Sequence, residues 1–429
     1  MRGKKSSAGL VGVLAIVTAN LLALSASAVA QTETVLLSFG APPAPSRGGT
    51  YPEGRLIFDA KGNLYGTTSS GGHSQSCIGG CGVVFQLTPK GVGGWNEKLL
   101  HTFNYDGSDG IFPSAGLVFD AAGNLYGTTQ GGGLYGDGSP FTGGTVFELS
   151  PSTGGSWTEK ILFNFEGGIG NGVGDSPSTG VIFDKQGNLY GATNSAGSIV
   201  NHGLGCGSVY QLALSAGETW TATALHTFLE GNDGCDGYAL TLDAAGNVYG
   251  VSSGGANNRG LVFELISSGG VWSFQILDNF SSSEGPRAPD SLVFDSHGNL
   301  YGASYGTGSA YKYGTVFELT PGTGGTWTQS IAYAFGSLSD GYGPNSLTFD
   351  AAGNLYGVTS SGGTYNRGTV FKLTPSSSGV WTKTILHNFA SGLDGKSPNG
   401  LALGASGDLY GTTYYGGLYN YGMIFKIVP

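Results

Sequence analysis

Gly353-Asn-Leu-Tyr-Gly357 is the stretch that decides the fold, because the chain repeats it seven times. Val248 replaces Leu in the fourth copy, and Asp408 replaces Asn in the seventh. The copies begin at Gly62, Gly123, Gly187, Gly246, Gly298, Gly353 and Gly407. Self-similarity at a spacing of 52 to 64 residues indicates similar supersecondary units packed side by side.

The unit around Gly353 predicts four short strands. Residues 346–350 and 355–359 form two of them, joined by a tight turn in which Gly353 and Asn354 tolerate positive φ. Residues 368–374 and 381–389 form the third and fourth. Four short strands bounded by Gly, Pro and Ser turns are typical of a propeller blade. The sequence therefore predicts an all-β, seven-bladed β-propeller with four strands per blade.

The ends of the chain predict how the ring closes. The third strand recurs seven times, but the Trp that opens the fourth strand recurs only six times, and the last unit ends before its fourth strand. Residues 31–39 align without a gap on residues 157–165, with Gln31 in place of the Trp. We predict that this N-terminal strand pairs in the last blade, which leaves few open strand edges.

The first 30 residues predict export. Three basic residues, an apolar stretch from Leu10 to Leu24 and Ala28-Val-Ala30 have the order of a secretory signal peptide. Residues 31–429 then form a single propeller domain. No later stretch approaches the ~18 apolar residues of a membrane span. We expect a monomer in the periplasm or outside the cell, with no C-terminal anchor.

The charge of the chain excludes one class of partner. Lys and Arg number 18 against 28 Asp and Glu, for a net charge of −10. Nucleic acid binding depends on Lys and Arg contacts to phosphates. We therefore expect no nucleic acid partner.

The repeated motifs resemble a known family. The GNLYGTT phrase, the GTVF-x-L-T-P third strand and the W-T-x-x-I-L-x-x-F fourth strand are similar to the GloVer-type tandem repeat of exported bacterial proteins. The resemblance covers essentially all of residues 31–429. It implies export and a propeller-like repeat, and it assigns no reaction.

Two sets of repeated polar residues are interpreted as structural. The Asp that precedes each turn is read as an Asx-type cap, and it occurs at Asp59, Asp120, Asp184, Asp243, Asp295 and Asp350. His101, His226 and His387 share one fourth-strand position, where other repeats place Leu37, Phe163, Asp278 and Tyr333. That variety predicts a framework position. We expect no metal site and no evident cofactor; the Asp-rich loops could hold Ca²⁺ through oxygen ligands, but no ligand set is complete. His73 and His202 remain loop candidates.

The four cysteines of an exported chain predict two disulfides. Cys77 and Cys81 lie in one loop and form a local staple. Cys206 and Cys235 lie in loops that emerge on the same face of a propeller. We predict the pairs Cys77–Cys81 and Cys206–Cys235.

The variable loops supply the candidate binding residues. Tyr among Gly, Ser and Asn binds at low entropic cost, and aromatic faces beside acidic groups suit sugar rings. The candidates are Tyr135, Tyr305, Tyr313, Tyr365, Tyr415 and Tyr421 in loops between second and third strands, with Asp109, Asp340 and Asp394 between blades. We predict a secreted binding module, with carbohydrate as the expected ligand on this Tyr-rich loop face.

Two alternatives stay open. A propeller-type polysaccharide lyase or hydrolase would gather acid and base groups at the axis; the charged loop residues to consider are Arg47, Arg259, Arg287, Arg367 and Lys396, and no set of them marks a reaction. An extracellular protein-interaction scaffold would use the near-identical blades for repeated shallow contacts. The sequence favours binding over catalysis.

Overall fold

The computed structural model describes the chain with the following gaps: residues 1–32, 41–47, 92–93, 138–141, 167–171, 196–204, 216–218, 230, 282–285, 307–310 and 391, together with the side chains of residues 286–290. The predicted signal peptide, Gln31, Arg47, His202 and the side chain of Arg287 therefore lie outside the described residues. The described part of the chain contains no helix with the length and apolar character needed to span a bilayer.

Seven antiparallel sheets form the seven blades of a β-propeller, as the repeat predicts. Blade 1 contains Gly49–Pro52, Ile57–Phe58, Leu64–Gly71, Val83–Lys90 and Gly94–Thr102. Blade 2 contains Gly110–Ile111, Val118–Phe119, Leu125–Thr129, Gly131–Gly132, Thr145–Pro151 and Trp157–Asn164. Blade 3 contains Asp175–Pro177, Ile182–Phe183, Leu189–Ser195, Ser208–Leu214 and Trp220–Thr227. Blade 4 contains Cys235–Leu242, Val248–Ser253, Leu261–Ser268 and Val271–Asn279.

The last three blades have the same antiparallel order. Blade 5 contains Pro286–Phe294, Leu300–Gly306, Thr315–Pro321 and Trp327–Ala334. Blade 6 contains Tyr342–Phe349, Leu355–Ser361, Thr369–Pro375 and Trp381–Asn388. Blade 7 contains Gly395–Leu403, Leu409–Gly416, Met423–Ile427 and the N-terminal strand Glu33–Ser38. Short 3-10 turns occur at Gly231–Asp233, Thr323–Gly325 and Leu338–Asp340.

The N-terminal strand closes the ring, which confirms the prediction from the missing seventh Trp. Glu33–Ser38 pairs antiparallel with Met423–Ile427, with Glu33 opposite Ile427 and Ser38 opposite Met423. Both ends of the propeller domain thus belong to one sheet, and the outer edge of blade 7 is completed like that of the other blades.

The first strand differs between the two halves of the ring. In blades 1 to 3 it is interrupted, whereas in blades 4 to 7 it is continuous. Three residues separate Pro52 from Leu56 in blade 1, but only two separate Pro344 from Leu347 in blade 6. An extra residue in a strand disrupts the ladder locally, which accounts for the break in blade 1.

In blades 1 to 6 the turn that follows the first strand has the predicted aspartate, and Gly404 stands in its place in blade 7. Asp350 Oδ1 accepts hydrogen bonds from the backbone N–H groups of Ala352 at 2.9 Å and Asn354 at 2.8 Å. Its Oδ2 accepts from Asn354 Nδ2 at 2.7 Å and from the Tyr356 hydroxyl at 3.1 Å. The aspartate is therefore fully used in the turn, as an Asx-type cap requires.

Aromatic rings join neighbouring blades, and we call each interface a seam and number it by its two blades, so that seam 1/2 joins blades 1 and 2. At every seam the Phe that follows a fourth strand meets the aromatic side chain of the next blade's third strand, with ring centroids 5.1 to 5.7 Å apart. The rings are buried. At five seams the Tyr of the repeated GNLYG phrase also meets the next blade's Trp at 5.7 to 6.4 Å. Edge-to-face pairs of this kind add stabilisation beyond the burial of area.

A backbone hydrogen bond also crosses the described seams. A residue near the start of the first strand has positive φ, and its N–H donates to a carbonyl that precedes the third strand of the blade before, at 2.8 to 3.1 Å. The donors are Tyr51, Phe112, Ser176, Asp236, Gly343 and Ser397. At these six seams the bond helps to set the angle at which one blade meets the next.

Both predicted disulfides are present. Cys77–Cys81 closes a small loop within blade 1, with Cα atoms 5.2 Å apart. Cys206–Cys235 joins blade 3 to blade 4, with Cα atoms 4.6 Å apart. The second bridge lies beside the backbone bond from Asp236 N to Cys206 O, so it reinforces a seam.

Candidate functional site

Four tyrosines converge where blade 7 meets blade 1, and we call them the tyrosine cluster. The Tyr51 ring stacks on Tyr414 with centroids 5.0 Å apart and meets Tyr415 and Tyr421 edge-on at 5.7 and 5.5 Å. Tyr414 and Tyr415 are themselves 4.6 Å apart. Tyr415 and Tyr421 are 37% and 41% exposed. The cluster therefore presents aromatic surface to solvent on a packed base.

The backbone positions the cluster. Tyr51 has φ 59°, a conformation that is uncommon for a residue with a large side chain. Its N–H donates to the carbonyl of Tyr421 at 2.8 Å, across the seam. Gly40 follows the closing strand at φ +92°, and a Cβ there would lie 2.3 Å from Cδ2 of Tyr421. Glycine at this position lets the chain pass directly beneath the Tyr421 ring.

Charged groups lie beside the rings. Lys396 Nζ is 4.7 Å from the centroid of Tyr415, within the range of a cation–π contact. Burial, with further contributions from the nearby Glu53, Tyr415 and Tyr51, raises the pKa of Tyr414 to about 12. The Tyr414 hydroxyl therefore stays protonated at neutral pH and can donate a hydrogen bond. The arrangement offers flat apolar faces with polar groups at their edges.

The structure distributes the other predicted tyrosines over several places. Tyr305 packs edge-on against Tyr342 at 5.5 Å, and its hydroxyl lies 2.5 Å from Ser360 Oγ, between blades 5 and 6. Tyr313 is partly buried against the apolar cluster of the same seam. Tyr135 and Tyr365 are 50% and 59% exposed. Of the six predicted tyrosines, Tyr415 and Tyr421 come together, and the cluster adds Tyr51 and Tyr414.

The three predicted aspartates lie inside seams. Asp109 Oδ2 accepts from Asn104 N at 2.9 Å, Asp340 Oδ2 from Gly336 N at 3.0 Å, and Asp394 Oδ2 from Ala390 N at 2.6 Å. Each carboxylate thus caps the loop that leads to the next blade. Each aspartate also lies beside the side chains of two other seam residues. The sequence analysis did not identify these groups of three residues as sites.

At a seam, three side chains meet around the loop aspartate, and we call each such group of three a polar slot. It contains the fourth-strand residue that varies among His, Leu, Phe, Asp and Tyr, the loop aspartate, and the residue two positions after the Trp site in the next blade's fourth strand. The slot contains His101, Asp109 and Glu159 at seam 1/2; His387, Asp394 and Glu33 at seam 6/7; His226, Asp233 and Phe274 at seam 3/4; and Tyr333, Asp340 and Lys383 at seam 5/6.

Two of these slots have the composition of a metal site. In seam 1/2, His101 Nε2 lies 3.3 Å from Asp109 Oδ2 and 3.5 Å from Glu159 Oε2. In seam 6/7, His387 Nε2 lies 3.3 Å from Asp394 Oδ2, with Glu33 as the third member. In each group the three donor atoms lie within 4.8 Å of one another.

Burial makes the glutamates of these slots easier to protonate. It raises the pKa of Glu159 to about 7, against the opposing effect of His101 and with a further contribution from Asp109. Burial and the charge of Asp394 raise the pKa of Glu33 to about 7, with His387 opposing the shift. In both slots the poorly solvated space therefore disfavours a second ionised carboxylate.

The axial channel is a second concave site. Residues from the first strands of all seven blades line a cavity of about 580 Å³. Among the lining residues that the structure describes, Glu53 and Arg55 are the charged ones. Arg55 Nη2 donates to Thr348 Oγ1 at 3.0 Å, and burial lowers its pKa. This bond connects blade 1 to blade 6 across the ring, which gives Arg55 a bracing contact.

Comparison with known proteins places the chain in a family. No curated protein sequence matches it. A crystal structure of a protein from Lactobacillus plantarum is 13% identical with a TM-score of 0.50, and the match covers 81% of this chain and 95% of that one. A gluconolactonase from Xanthomonas campestris is 13% identical with a TM-score of 0.38, over 66% of this chain and 81% of that one. At 13% identity the likeness to the Lactobacillus plantarum protein is one of fold alone.

The family model of the Gloeobacter/Verrucomicrobia repeat matches residues 24–203, 135–349 and 239–429. These three overlapping matches span every blade. They agree with the resemblance drawn from the repeated motifs. The chain therefore belongs to the Gloeobacter/Verrucomicrobia repeat family.

Proposed function

We propose that the protein is a binding module that recognises carbohydrate at the tyrosine cluster. The observation that carries the proposal is the convergence of four tyrosine rings at seam 7/1, two of them more than a third exposed. Tyr supplies a large, rigid, amphipathic contact surface at low entropic cost. Its ring can cover the C–H face of a sugar while its hydroxyl meets the sugar's polar groups.

The groups around the cluster support a polyhydroxylated ligand. Lys396 supplies hydrogen-bond donors above Tyr415, and the neutral Tyr414 hydroxyl can both donate and accept. Glu53 lies close enough to affect the pKa of Tyr414. Donors and acceptors at the edge of an aromatic platform are what recognition of hydroxyl groups requires.

The cluster supports a binding role better than the axial channel supports a catalytic one. A lyase or hydrolase needs an acid and a base that face the same reacting atoms. In the described lining of the channel, Arg55 bonds to Thr348, and the carboxyl of Glu53 lies near Ser69 and Tyr414. Glu53 therefore belongs as much to the surroundings of the cluster as to the channel.

The test is a binding screen with a matched pair of variants. Purified protein is screened by thermal shift against soluble oligosaccharides of glucose, xylose and N-acetylglucosamine, and responding sugars are measured by calorimetry. A ligand at ~100 times its Kd stabilises the folded state by ~2.7 kcal/mol. We expect Tyr415→Ala and Tyr421→Ala to weaken binding at least ~10-fold, which is ~1.4 kcal/mol.

Tyr365→Ala is the control, because Tyr365 is 59% exposed on the corresponding loop of blade 6 and should leave affinity unchanged. Equal losses in Tyr415→Ala and Tyr365→Ala would refute a site at the cluster. A flat response to every sugar would reject carbohydrate recognition. Several equivalents of a bound protein partner would instead favour the scaffold alternative.

A further inference from the structure

The polar slot at seam 5/6 contains a cation supplied by the chain itself. Lys383 Nζ lies 2.8 Å from Asp340 Oδ1, with its side chain only 4% exposed, and it also donates to the Asp340 carbonyl. The Tyr333 hydroxyl donates to the other carboxylate oxygen at 3.0 Å. At this seam the slot therefore binds a positively charged group next to the aspartate, away from solvent.

Seams 1/2 and 6/7 reverse the charge at the position of Lys383. Glu159 and Glu33 take that place, so each slot combines two carboxyl groups with one imidazole. In these two triads a carboxyl group replaces the ammonium that balances Asp340, and the imidazole is the one group of each triad that can carry a positive charge. Two buried carboxylates side by side are costly unless a proton or a cation lies between them.

Oxygen atoms in both slots lack partners. Asp109 Oδ1, Glu159 Oε1 and Glu33 Oε1 are buried and have no hydrogen-bond partner. Asp109 as a whole is 9% exposed, and its other oxygen is already used by His101 and Asn104. Because buried polar atoms are normally satisfied, these oxygens indicate a ligand that the protein atoms do not supply.

We propose that seams 1/2 and 6/7 each bind one divalent metal ion of the zinc class, through the imidazole and the two carboxylates of the slot. Nitrogen from His and oxygen from Asp or Glu are ordinary zinc ligands, and three protein ligands leave a fourth position for water. Imidazole suits zinc and its neighbours, whereas Ca²⁺ and Mg²⁺ prefer sites made of oxygen alone.

The position of the ligands gives the ion a structural role. His101 and Asp109 belong to blade 1 and its following loop, while Glu159 belongs to blade 2. At seam 6/7, Glu33 comes from the strand that closes the ring. A metal at each seam would therefore clip neighbouring blades together, and at seam 6/7 it would hold the N-terminal strand in place.

Two other seams, 3/4 and 5/6, provide internal controls. At seam 3/4, His226 Nε2 lies 3.2 Å from Asp233, but Phe274 takes the third position and stacks on His226 at 3.8 Å. That slot has two donors and should not hold zinc tightly. Seam 5/6 has Lys383 in place of the metal.

The experiment measures stoichiometry on the purified protein. The protein is stripped with a chelator, titrated with Zn²⁺ by calorimetry, and titrated in parallel with Co²⁺, whose visible absorption reports nitrogen and oxygen coordination. We expect two equivalents of Zn²⁺ in the wild type and one in Glu159→Gln or Glu33→Gln. The double variant should bind none, and Ca²⁺ should not compete for these sites.

Two further variants separate a metal site from a change in folding. Glu159→Lys copies the arrangement of seam 5/6, so it should remove one equivalent of Zn²⁺ while its melting temperature in chelator stays at or above that of the wild type. His226→Ala should leave the stoichiometry at two. Fewer than two equivalents in the wild type, or a stoichiometry that the Gln variants do not change, would overturn the proposal.

This inference is independent of the proposed carbohydrate site, because the two use different residues. Loss of one zinc equivalent in Glu159→Gln with sugar binding intact would support the metal site alone. Loss of sugar binding in Tyr415→Ala with two zinc equivalents intact would support the carbohydrate site alone.

Discussion

Blade 6 takes part in two seams that are built alike and filled differently. At seam 5/6, Phe335 meets Phe371 with ring centroids 5.4 Å apart, and at seam 6/7, Phe389 meets Phe425 at 5.1 Å. The polar slots beside these ring pairs differ: one has Lys383 bonded to Asp340, and the other has Glu33 near Asp394 and His387.

The difference shows that the residues that hold neighbouring blades together are not the residues that vary in charge from seam to seam. The ring pairs are shared by all seven seams and bury apolar surface wherever they occur. The polar slots lie beside them and change charge from seam to seam. A repeat can therefore acquire a new site without losing the packing that holds its blades together.

The largest expected effect comes from removing the strand that completes seam 6/7. Deletion of residues 31–39 takes away Glu33 and also Phe39, which is 2% exposed and packs on Phe85 at 5.4 Å. Loss of a buried Phe alone costs ~3–5 kcal/mol, so we expect the free energy of unfolding to fall by at least that amount. Thermal and urea unfolding measure it.

A chain that begins at Gln31 is the control for that deletion. It retains the closing strand and should unfold like the full chain. A deletion variant with an unchanged melting curve would mean that the ring does not depend on its N-terminal strand, and the comparison between the two seams of blade 6 would lose its basis.

The next effect tests the cation of seam 5/6. Lys383→Met leaves Asp340 in a partly buried position without its positive partner, which should destabilise the fold by about 2 kcal/mol, less than for a fully buried pair because the Asp340 side chain is 23% exposed. Adding Asp340→Asn to Lys383→Met should restore most of the loss, as measured by urea unfolding.

The pair between Lys426 and Asp408 provides the matched comparison. Its atoms are 2.7 Å apart, but the Lys426 side chain is 28% exposed, so Lys426→Met should cost less than ~1 kcal/mol. Equal losses for Lys383→Met and Lys426→Met would argue that the slot at seam 5/6 is not special.

A smaller effect concerns the ring pair of seam 2/3. Tyr210 stands where the other six blades have Phe, and its hydroxyl is buried without a hydrogen-bond partner. Tyr210→Phe should therefore stabilise the protein by about 1 kcal/mol, because it removes an unsatisfied polar group. The mirror change Phe263→Tyr should destabilise it. A Tyr210→Phe variant that is no more stable than the wild type would contradict the equivalence of the ring pairs.

The smallest effect is a pH dependence of the turn that all blades except the last share. Burial alone would raise the pKa of Asp350, but hydrogen bonds from Asn354 and Tyr356 outweigh it and lower the pKa below the ordinary 3.8. A carboxyl whose pKa is lowered by folding stabilises the folded state above the unfolded pKa, and this stabilisation is lost as the pH falls through the folded value.

We therefore expect unfolding free energies to decline less steeply below pH 3.8 in Asp350→Asn than in the wild type. Asp236→Asn serves as the contrast, since burial raises the pKa of Asp236. A carboxyl whose pKa is raised by folding adds stability as the pH falls through the folded value, so the variant should lose stability more steeply than the wild type on acidification. Parallel pH profiles for the wild type and Asp350→Asn would show that the turn does not depend on the charge.

Much of the fold could be predicted because its signals are local. The blade count follows from the repeated phrase, and the closing strand follows from the alignment of residues 31–39 with residues 157–165. The aspartate turn and both disulfides were also predicted, because each involves residues whose positions within the repeat are known. The break in the first strands of blades 1 to 3 was not predicted, since one extra residue leaves the apolar pattern intact.

The sites were harder to predict because each joins two blades. Tyr51 lies in a first strand and Tyr414 near the end of the chain, so only closure of the ring brings them together. The slots at seams 1/2 and 6/7 did leave a signal in the sequence. In both, a His in the fourth strand of one blade is matched by a Glu two positions after the Trp site in the fourth strand of the next blade, and at seam 6/7 that Glu is Glu33 of the N-terminal strand. Taken one strand at a time, the histidines looked like a framework position.

The sequence by itself determined the number of blades, their strand order and the closure of the ring. Those properties depend on alternation, turn residues and repeat counts, which act over a few residues at a time. Only the tertiary structure decided which side chains share a seam and how much charge they bury together. That depends on the angle between blades, which backbone bonds and ring pairs impose across the whole ring.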